Sequence, residues 1–511
     1  MNLRQKIIRG LTWTGISQVV SQACQFVITA TLAHLLSPSD FGLLGMATVF
    51  TGFASIFGEL GISGALIQNQ NVVERHYSSA FWLNVLVGIG LTVIFVLLSP
   101  LIANFYGRPE LKSIVAVLSL NFFLSSFTIV QQATLTKSMD FKSLALRDIL
   151  AVISSGATGI FCAYRGYGVW SLVIQLLMYT VTDDLLLWLY SKWRPRWIFN
   201  VSSIKEIFPF SAHLTGFQVV NYFARNVDNL LVGKVLGSQA LGYYSLAYKL
   251  MMFPIQNFTW VINKVMFPAF SIIQNEIERI RKNYLMMIKA VALLSFPLMA
   301  YLFVTASDII QLVFGDRWLA VVPVVKVFCF CGMIQSITSL GGSIYLAKGR
   351  SDIQFIMVLI STSALSIVLL VFVRYGIEIV ALSYTFFYML WMNVAIFVVT
   401  RLISLNIVKV YKIVWIPFVI SIVLAIIATG ANRLVMLDHL ARAIIFGIVG
   451  FATYAILILL TKQVIIKGSR QIILGGIWAN SDSPEGFSSS KLLNIFNRIG
   501  RKERLQSKNT D

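Results

Sequence analysis

The sequence predicts an all-α polytopic membrane protein with about fourteen transmembrane helices. Three observations predict it: a shortage of charge, apolar runs long enough to cross a bilayer, and a lopsided placement of the basic residues that remain. Of 511 residues, 57% are hydrophobic and only 12% charged. Ordinary soluble domains carry about 25% charged residues. A larger core cannot explain the shortage, because a core still needs a wettable surface; a surface facing lipid explains it. Spanning helices need roughly 20 apolar residues, and stretches such as 81–102, 355–373 and 413–429 supply them. The runs are continuous, without the alternation of barrel strands, so the backbone must satisfy itself within helices.

The spans fall at about 11–36, 41–67, 79–103, 112–135, 144–164, 167–190, 208–236, 240–266, 284–305, 318–347, 353–373, 377–400, 411–431 and 441–461. An even number puts both termini on one side. With the N-terminus cytoplasmic, inside segments carry 28 of the 41 Lys and Arg, and outside loops carry 7. That bias predicts cytoplasmic termini in a bacterial inner membrane. The Trp188–Trp197 stretch, WLYSKWRPRW, reads as an aromatic and basic anchor at the inner interface. The basic start MNLRQKIIRG leads into a retained first helix rather than a cleaved signal, because Gln18, Ser21, Gln22 and Gln25 are too polar for a signal core. Beyond Lys462 the chain turns hydrophilic: 481–490 reads as a linker, and 491–505 as either a basic surface helix or disorder.

The chain repeats itself. LLSPSDFG at 35–42 resembles VLGSQALG at 235–242, and YGVWSLV at 167–173 resembles YGIEIVA at 375–381. Tyr106-Gly107 matches Phe314-Gly315, and the loop with Lys137 and Asp140 matches that with Lys348 and Asp352. The matches keep their order, so two pseudo-symmetric six-helix lobes are expected at 1–195 and 205–402. Two extra helices follow at 411–461, then a basic cytoplasmic tail at 462–511. Lobes of six helices have parallel topology, related by an axis along the membrane normal, with a substrate cavity between them. A helical bundle that merely carries a duplication is the competing reading.

Catalytic signals are poor. The sequence has no GxxxxGK[ST] phosphate loop, no HExxH and no D-x-D. His34, His76, His213 and His439 are scattered, and Cys24, Cys162, Cys329 and Cys331 fall inside apolar runs, as buried structural thiols do. No metal or cofactor is expected. Asp183-Asp184 in the sixth span is read as contact with polar neighbours near a helix end, against a divalent-metal role.

Charges inside spans carry more information, because each is costly unless paired or wetted. Arg225 and Asp228 lie three residues apart in the seventh span, with Asn221 one turn before Arg225 and Asn229 one turn after it. Lys249 lies in the eighth span and Glu59 in the second. If spans 1, 2, 7 and 8 flank the axis, these groups line one cavity. Arg225, Lys249 and Asn221 would then bind an anionic sugar or pyrophosphate, and Asp228 or Glu59 a coupling cation. The alternative is an Arg225–Asp228 packing pair with Lys249 snorkelling to an interface. Lys234 and Lys264 sit nearer span ends and weigh less; Lys326 remains a lesser candidate.

Residues 224–258, ARNVDNLLVGKVLGSQALGYYSLAYKLMMFPIQNF, resemble the seventh and eighth helices of polysaccharide-transporter flippases. Residues 36–68, LSPSDFGLLGMATVFTGFASIFGELGISGALIQ, resemble their first loop and second helix. These proteins form a branch of the multidrug, oligosaccharidyl-lipid and polysaccharide exporter superfamily, and the similarity, covering about 1–460, is to Wzx-type exporters like those for colanic and teichuronic acid. The resemblance implies a V-shaped two-lobe fold, a cationic cavity, no ATPase, and undecaprenyl-pyrophosphate-linked oligosaccharide as substrate, moved from cytoplasmic to periplasmic face. It implies membrane lipid as surroundings, a polysaccharide polymerase and export machinery as partners, and no nucleic acid. Two other functions compete. A cation-coupled drug antiporter of the same fold favours an acidic cavity. A membrane glycosyltransferase or polymerase favours a large outside loop, whereas the outside loops here run to about 4–15 residues.

Overall fold

A computed structural model describes residues 3–59, 62–68 and 72–434 of the chain. Among them no strand occurs. The helices are α1 (Leu3–Leu35), α2 (Pro38–Glu59), α3 (Ile62–Gln68), α4 (Glu74–Tyr106), α5 (Glu110–Leu118), α6 (Leu120–Ser125), α7 (Ile129–Lys137), α8 (Phe141–Tyr164) and α9 (Val169–Tyr190). They continue as α10 (Val201–Pro254), α11 (Trp260–Ile272), α12 (Ile277–Phe314), α13 (Val322–Thr338), α14 (Gly341–Ala347), α15 (Ser351–Phe372), α16 (Ile377–Leu402) and α17 (Ile407–Leu434). Ten runs are long and apolar enough to cross a membrane, eleven if the bent pair Glu110–Ser125 and Ile129–Lys137 is one span. The protein is thus a multi-pass membrane protein, compatible with fourteen spans. The expected span at 441–461 and the tail at 462–511 lie outside the described residues.

Apolar side chains on the outer faces remain exposed, among them Leu97 at 70%, Ile367 at 64% and Ile426 at 65%. Such a surface is unstable in water and natural in lipid. Cys162, Cys329 and Cys331 are buried, Cys24 partly so, and all four are free thiols.

Two elements differ from a reading by hydropathy. The fourth span is not one straight helix: it turns by 45° between α6 and α7. The cause is local. Ser126 and Thr128 bond the carbonyls of Phe123 and Ser125, three residues back, where the backbone N–H groups of 126–128 also bond three residues back instead of four. Carbonyls along this segment are also met by donors from neighbouring helices. Thr92 donates to the Ser119 oxygen at 2.9 Å, Asn84 to the Ser126 oxygen at 3.0 Å, and Trp188 to the Phe127 oxygen at 3.1 Å. Gly88, on the same face of α4 as Asn84 and Thr92, lets the chains touch; a Cβ there would lie 2.6 Å from the Phe122 carbonyl oxygen. The second difference is at α10, which passes through Gly237 at φ 88°, ψ −178°. That backbone conformation is open essentially to glycine alone. It separates the segment read as the seventh span from the one read as the eighth.

The matching turn between α1 and α2 is built by other means. Ser37 caps α2: its hydroxyl and its amide bond the Asp40 carboxylate at 2.7 and 2.9 Å, with Pro38 at the first helical position. The two turns meet. Ser39 Oγ and Ser238 Oγ lie 2.7 Å apart, where α2 crosses the second part of α10.

The Trp188–Trp197 stretch, read as an interfacial anchor, is fastened to the start of α4. Trp197 stacks on Trp82 with centroids 4.2 Å apart, Trp82 donates to the Arg196 oxygen at 2.8 Å, and Trp193 donates to Glu74 at 3.2 Å. Trp197 is still 88% exposed, so the ring face turned away from Trp82 remains open.

Candidate functional site

A polar cavity of about 270 Å³ lies between α1, α2, both parts of α10 and the end of α12. Thr48, Asn226, Asn229, Ser245 and Lys249 supply its polar groups. The helix break at Gly237 makes this possible, because it folds the second part of α10 back so that Lys249 and Asn229 reach the same space. Lys249 keeps accessible surface and lines this cavity. One wall is fixed by Tyr222, whose hydroxyl donates to the Val49 oxygen at 2.6 Å and tethers α10 to α2. Ala33, Gly242 and Trp318 close the end nearest the α1–α2 turn. There Trp318 Nε1 donates to the Ala33 oxygen at 3.0 Å, and the Tyr243 hydroxyl to the Arg317 oxygen at 3.1 Å.

The five residues singled out from sequence divide. Lys249 lines the cavity. Arg225 is exposed on α10, one turn before the cavity-lining Asn229, and Asn221 is half-buried a turn further back. Asp228 turns away: it is 3% exposed, and its carboxylate accepts from the Tyr244 hydroxyl at 2.9 Å and from the Asn229 amide at 2.8 Å. Tyr244 in turn packs with Tyr248 and Phe328. Arg225 and Asp228 therefore differ in burial despite their spacing. The side chain of Glu59, at the end of α2, lies outside the described residues. Thr48, Asn226 and Ser245 were not singled out by sequence. Uncharged polar residues in a span give no strong signal; for Asn226 and Ser245, spacing from Asn229 and Lys249 was the available one.

A buried charged cluster lies elsewhere in the fold. Arg147 Nε meets Asp183 at 2.9 Å and its guanidinium also bonds Asp148. The Arg147–Asp183 pair joins α8 to α9 within the fold. A second, larger cavity of about 550 Å³ lies between α12, α13 and α17. Phe303, Phe330, Met333, Phe418 and Ile422 line it, and no charged group does. A charged head group has nothing to bind there, so the smaller cavity is the candidate polar site.

A family model described as polysaccharide biosynthesis protein matches residues 31–323. The chain belongs to this polysaccharide biosynthesis protein family. The match takes in α2, α10 and every residue named above in the polar cavity. The teichuronic acid biosynthesis protein TuaB of Bacillus subtilis is 31% identical over 356 residues, 69% of this chain and 74% of TuaB. The lipopolysaccharide biosynthesis protein WzxC of Escherichia coli is 29% identical, over 70% of this chain and 73% of WzxC. Among solved structures, the lipid II flippase MurJ in its inward closed conformation superposes with a TM-score of 0.70 at 16% identity, covering 88% of this chain and 98% of MurJ. A multidrug resistance transporter of the MATE family, in an inward-facing conformation, superposes with a TM-score of 0.61 at 16% identity, covering 77% of this chain and 98% of that one. The family member described here therefore shares the fold of MurJ, and its relatives are named for polysaccharide biosynthesis.

Proposed function

We propose that this protein is a flippase that carries an undecaprenyl-pyrophosphate-linked oligosaccharide from the cytoplasmic to the periplasmic face of the inner membrane. The observation that carries the reading is Lys249, a basic side chain lining a polar cavity between α2 and α10, in a family whose relatives are named for polysaccharide biosynthesis. An ammonium in a low-dielectric wall attracts phosphate or uronate oxygens. Asn226, Asn229 and Ser245 offer hydrogen bonds suited to sugar hydroxyls. Arg225 and Asn221 would take the head group as it approaches along α10, and Asp228 or Glu59 would hold a coupling cation. The lobes 1–195 and 205–402 would rock about the crossing of α2 and α10, and the prenyl chain would stay in lipid. No chemical step is assigned to the protein; polymerase and export machinery would act on what it delivers.

A drug antiporter of the same fold is the second reading. It is disfavoured by the basic character of the cavity, since cationic drugs want an acidic one. Export of glycan in a deletion strain complemented with the parent, Lys249→Gln or Lys249→Arg decides between them. Lys249→Gln should lower export at least tenfold and Lys249→Arg should keep most of it, without change in drug sensitivity. Normal export with Lys249→Gln, or a drug-sensitive deletion strain with intact glycan, would overturn the assignment.

A further inference from the structure

The crossing of α2 and α10 is closer than side chains permit. A Cβ on Gly42 would lie 1.7 Å from the Ser238 carbonyl oxygen, and a Cβ on Gly242 would lie 1.9 Å from the Pro38 carbonyl oxygen. The two contacts are reciprocal: Gly42 and Gly242 are 200 residues apart, and so are Pro38 and Ser238. Each helix start therefore presents a carbonyl to the other's glycine, the pattern of a two-fold joint. Neither glycine needs positive φ, unlike Gly237 next to them; the close approach alone requires them. Inside a helix glycine costs about 1 kcal/mol against alanine, so local propensity favours alanine at both positions.

We propose that Gly42 and Gly242 are positioning residues for transport: they let the two helix starts interlock, and the interlock seals the Lys249 cavity on the face of the α1–α2 turn. Gly242 is itself part of the cavity wall. Ser39 and Ser238, Trp318 and Ala33, and Tyr243 and Arg317 bond across the same end. The groups that meet the glycines are backbone carbonyls, so no rotamer change makes room for a methyl group. An added Cβ must drive the helix starts apart by on the order of 1.5 Å to reach van der Waals contact, which breaks the 2.7 Å Ser39–Ser238 contact. Alanine is compatible with a state in which the seal is open and incompatible with this one. It therefore shifts the population toward the open state instead of unfolding the protein.

The inference rests on the transport reading only for its effect on export; the seal is read separately. With the native thiols replaced by alanine, Ser39→Cys/Ser238→Cys should form a disulfide in membranes, since the parent oxygens are already near bonding distance for sulfur. Adding Gly42→Ala or Gly242→Ala should lower the yield of that bridge at least fivefold. The same substitutions should raise labelling of Ser245→Cys by an impermeant thiol reagent at least fivefold and reduce glycan export about tenfold, at matched protein level. Gly90→Ala, where nothing lies within 4 Å of the new methyl, should change none of these. A bridge yield and a Ser245→Cys labelling equal to the parent's in both glycine variants would refute the seal. If the glycine variants fail to accumulate, the bridge decides alone: oxidation should arrest export and reduction restore it, and export undiminished by a complete bridge would also refute the seal. A bridge and labelling that respond as stated in a strain whose glycan export never depended on the protein would sink the flippase reading and leave the seal standing.

Discussion

Arg225 and Asp228 show how a spacing argument meets a side-chain environment. Three residues apart on α10, they share a face by helical geometry, yet Asp228 is buried against Tyr244 while Arg225 is exposed. Removing Arg225 thus does not strip Asp228 of the hydroxyl that holds it. Arg225→Ala should abolish glycan export while the protein still inserts and accumulates, and Arg225→Lys should retain part of it, because the charge survives and the bidentate fork is lost. Arg225→Ala/Asp228→Ala should stay inactive; a packing pair would instead recover function once neither charge is orphaned. Export at matched protein level, compared across the three strains, separates the two. Asp228→Asn keeps the size and an acceptor for Tyr244 but removes the charge, so accumulation should persist while coupling to an ion gradient is lost.

At the scale of the element, the bend between α6 and α7 is held from α4. Asn84, Gly88 and Thr92 are successive residues at i, i+4 and i+8, and they serve as donor, gap and donor for the bent segment. Gly88→Leu should place several carbons where the Phe122 carbonyl oxygen now sits. The expected cost is about 1–3 kcal/mol, read as a lower unfolding midpoint in detergent and reduced accumulation. Gly90→Leu, two residues on and facing open space, should be close to neutral in the same assay. Hydropathy could not have found this bend, because SLNFFLSSFT at 119–128 is apolar enough to pass as a continuous span; the competing side-chain bonds of its hydroxyls decide it.

At the scale of the whole molecule, the orientation proposed from charge is open to direct labelling. The turn at Ser238 is a poor reporter, since Ser238 is 1% exposed against Ser39; the adjacent, exposed Gln239 is a better one. A cysteine at Gln239 should react with an impermeant reagent added outside spheroplasts, and a cysteine at the exposed Ser202 should not. The opposite pattern would invert the topology and with it the direction of transport.

Composition and the order of the residues determined that this chain lives in a membrane, that it is helical throughout its described residues, and roughly where the spans lie. These properties are sums over many residues, so no single contact can reverse them. The likeness between 35–42 and 235–242 likewise marked the two turns that meet, because each keeps a small-residue helix start. Which polar groups share a cavity was not in the linear pattern. Lys249 and Asn229 are joined only because Gly237 breaks α10, and Asp228 leaves them only because Tyr244 lies where its carboxylate can reach. Likewise, a glycine in a sequence does not say whether it serves a left-handed turn, as at Gly237, or a neighbour's carbonyl, as at Gly42. Burial, pairing and close approach depend on chain segments hundreds of residues apart, and only the tertiary structure brings those together.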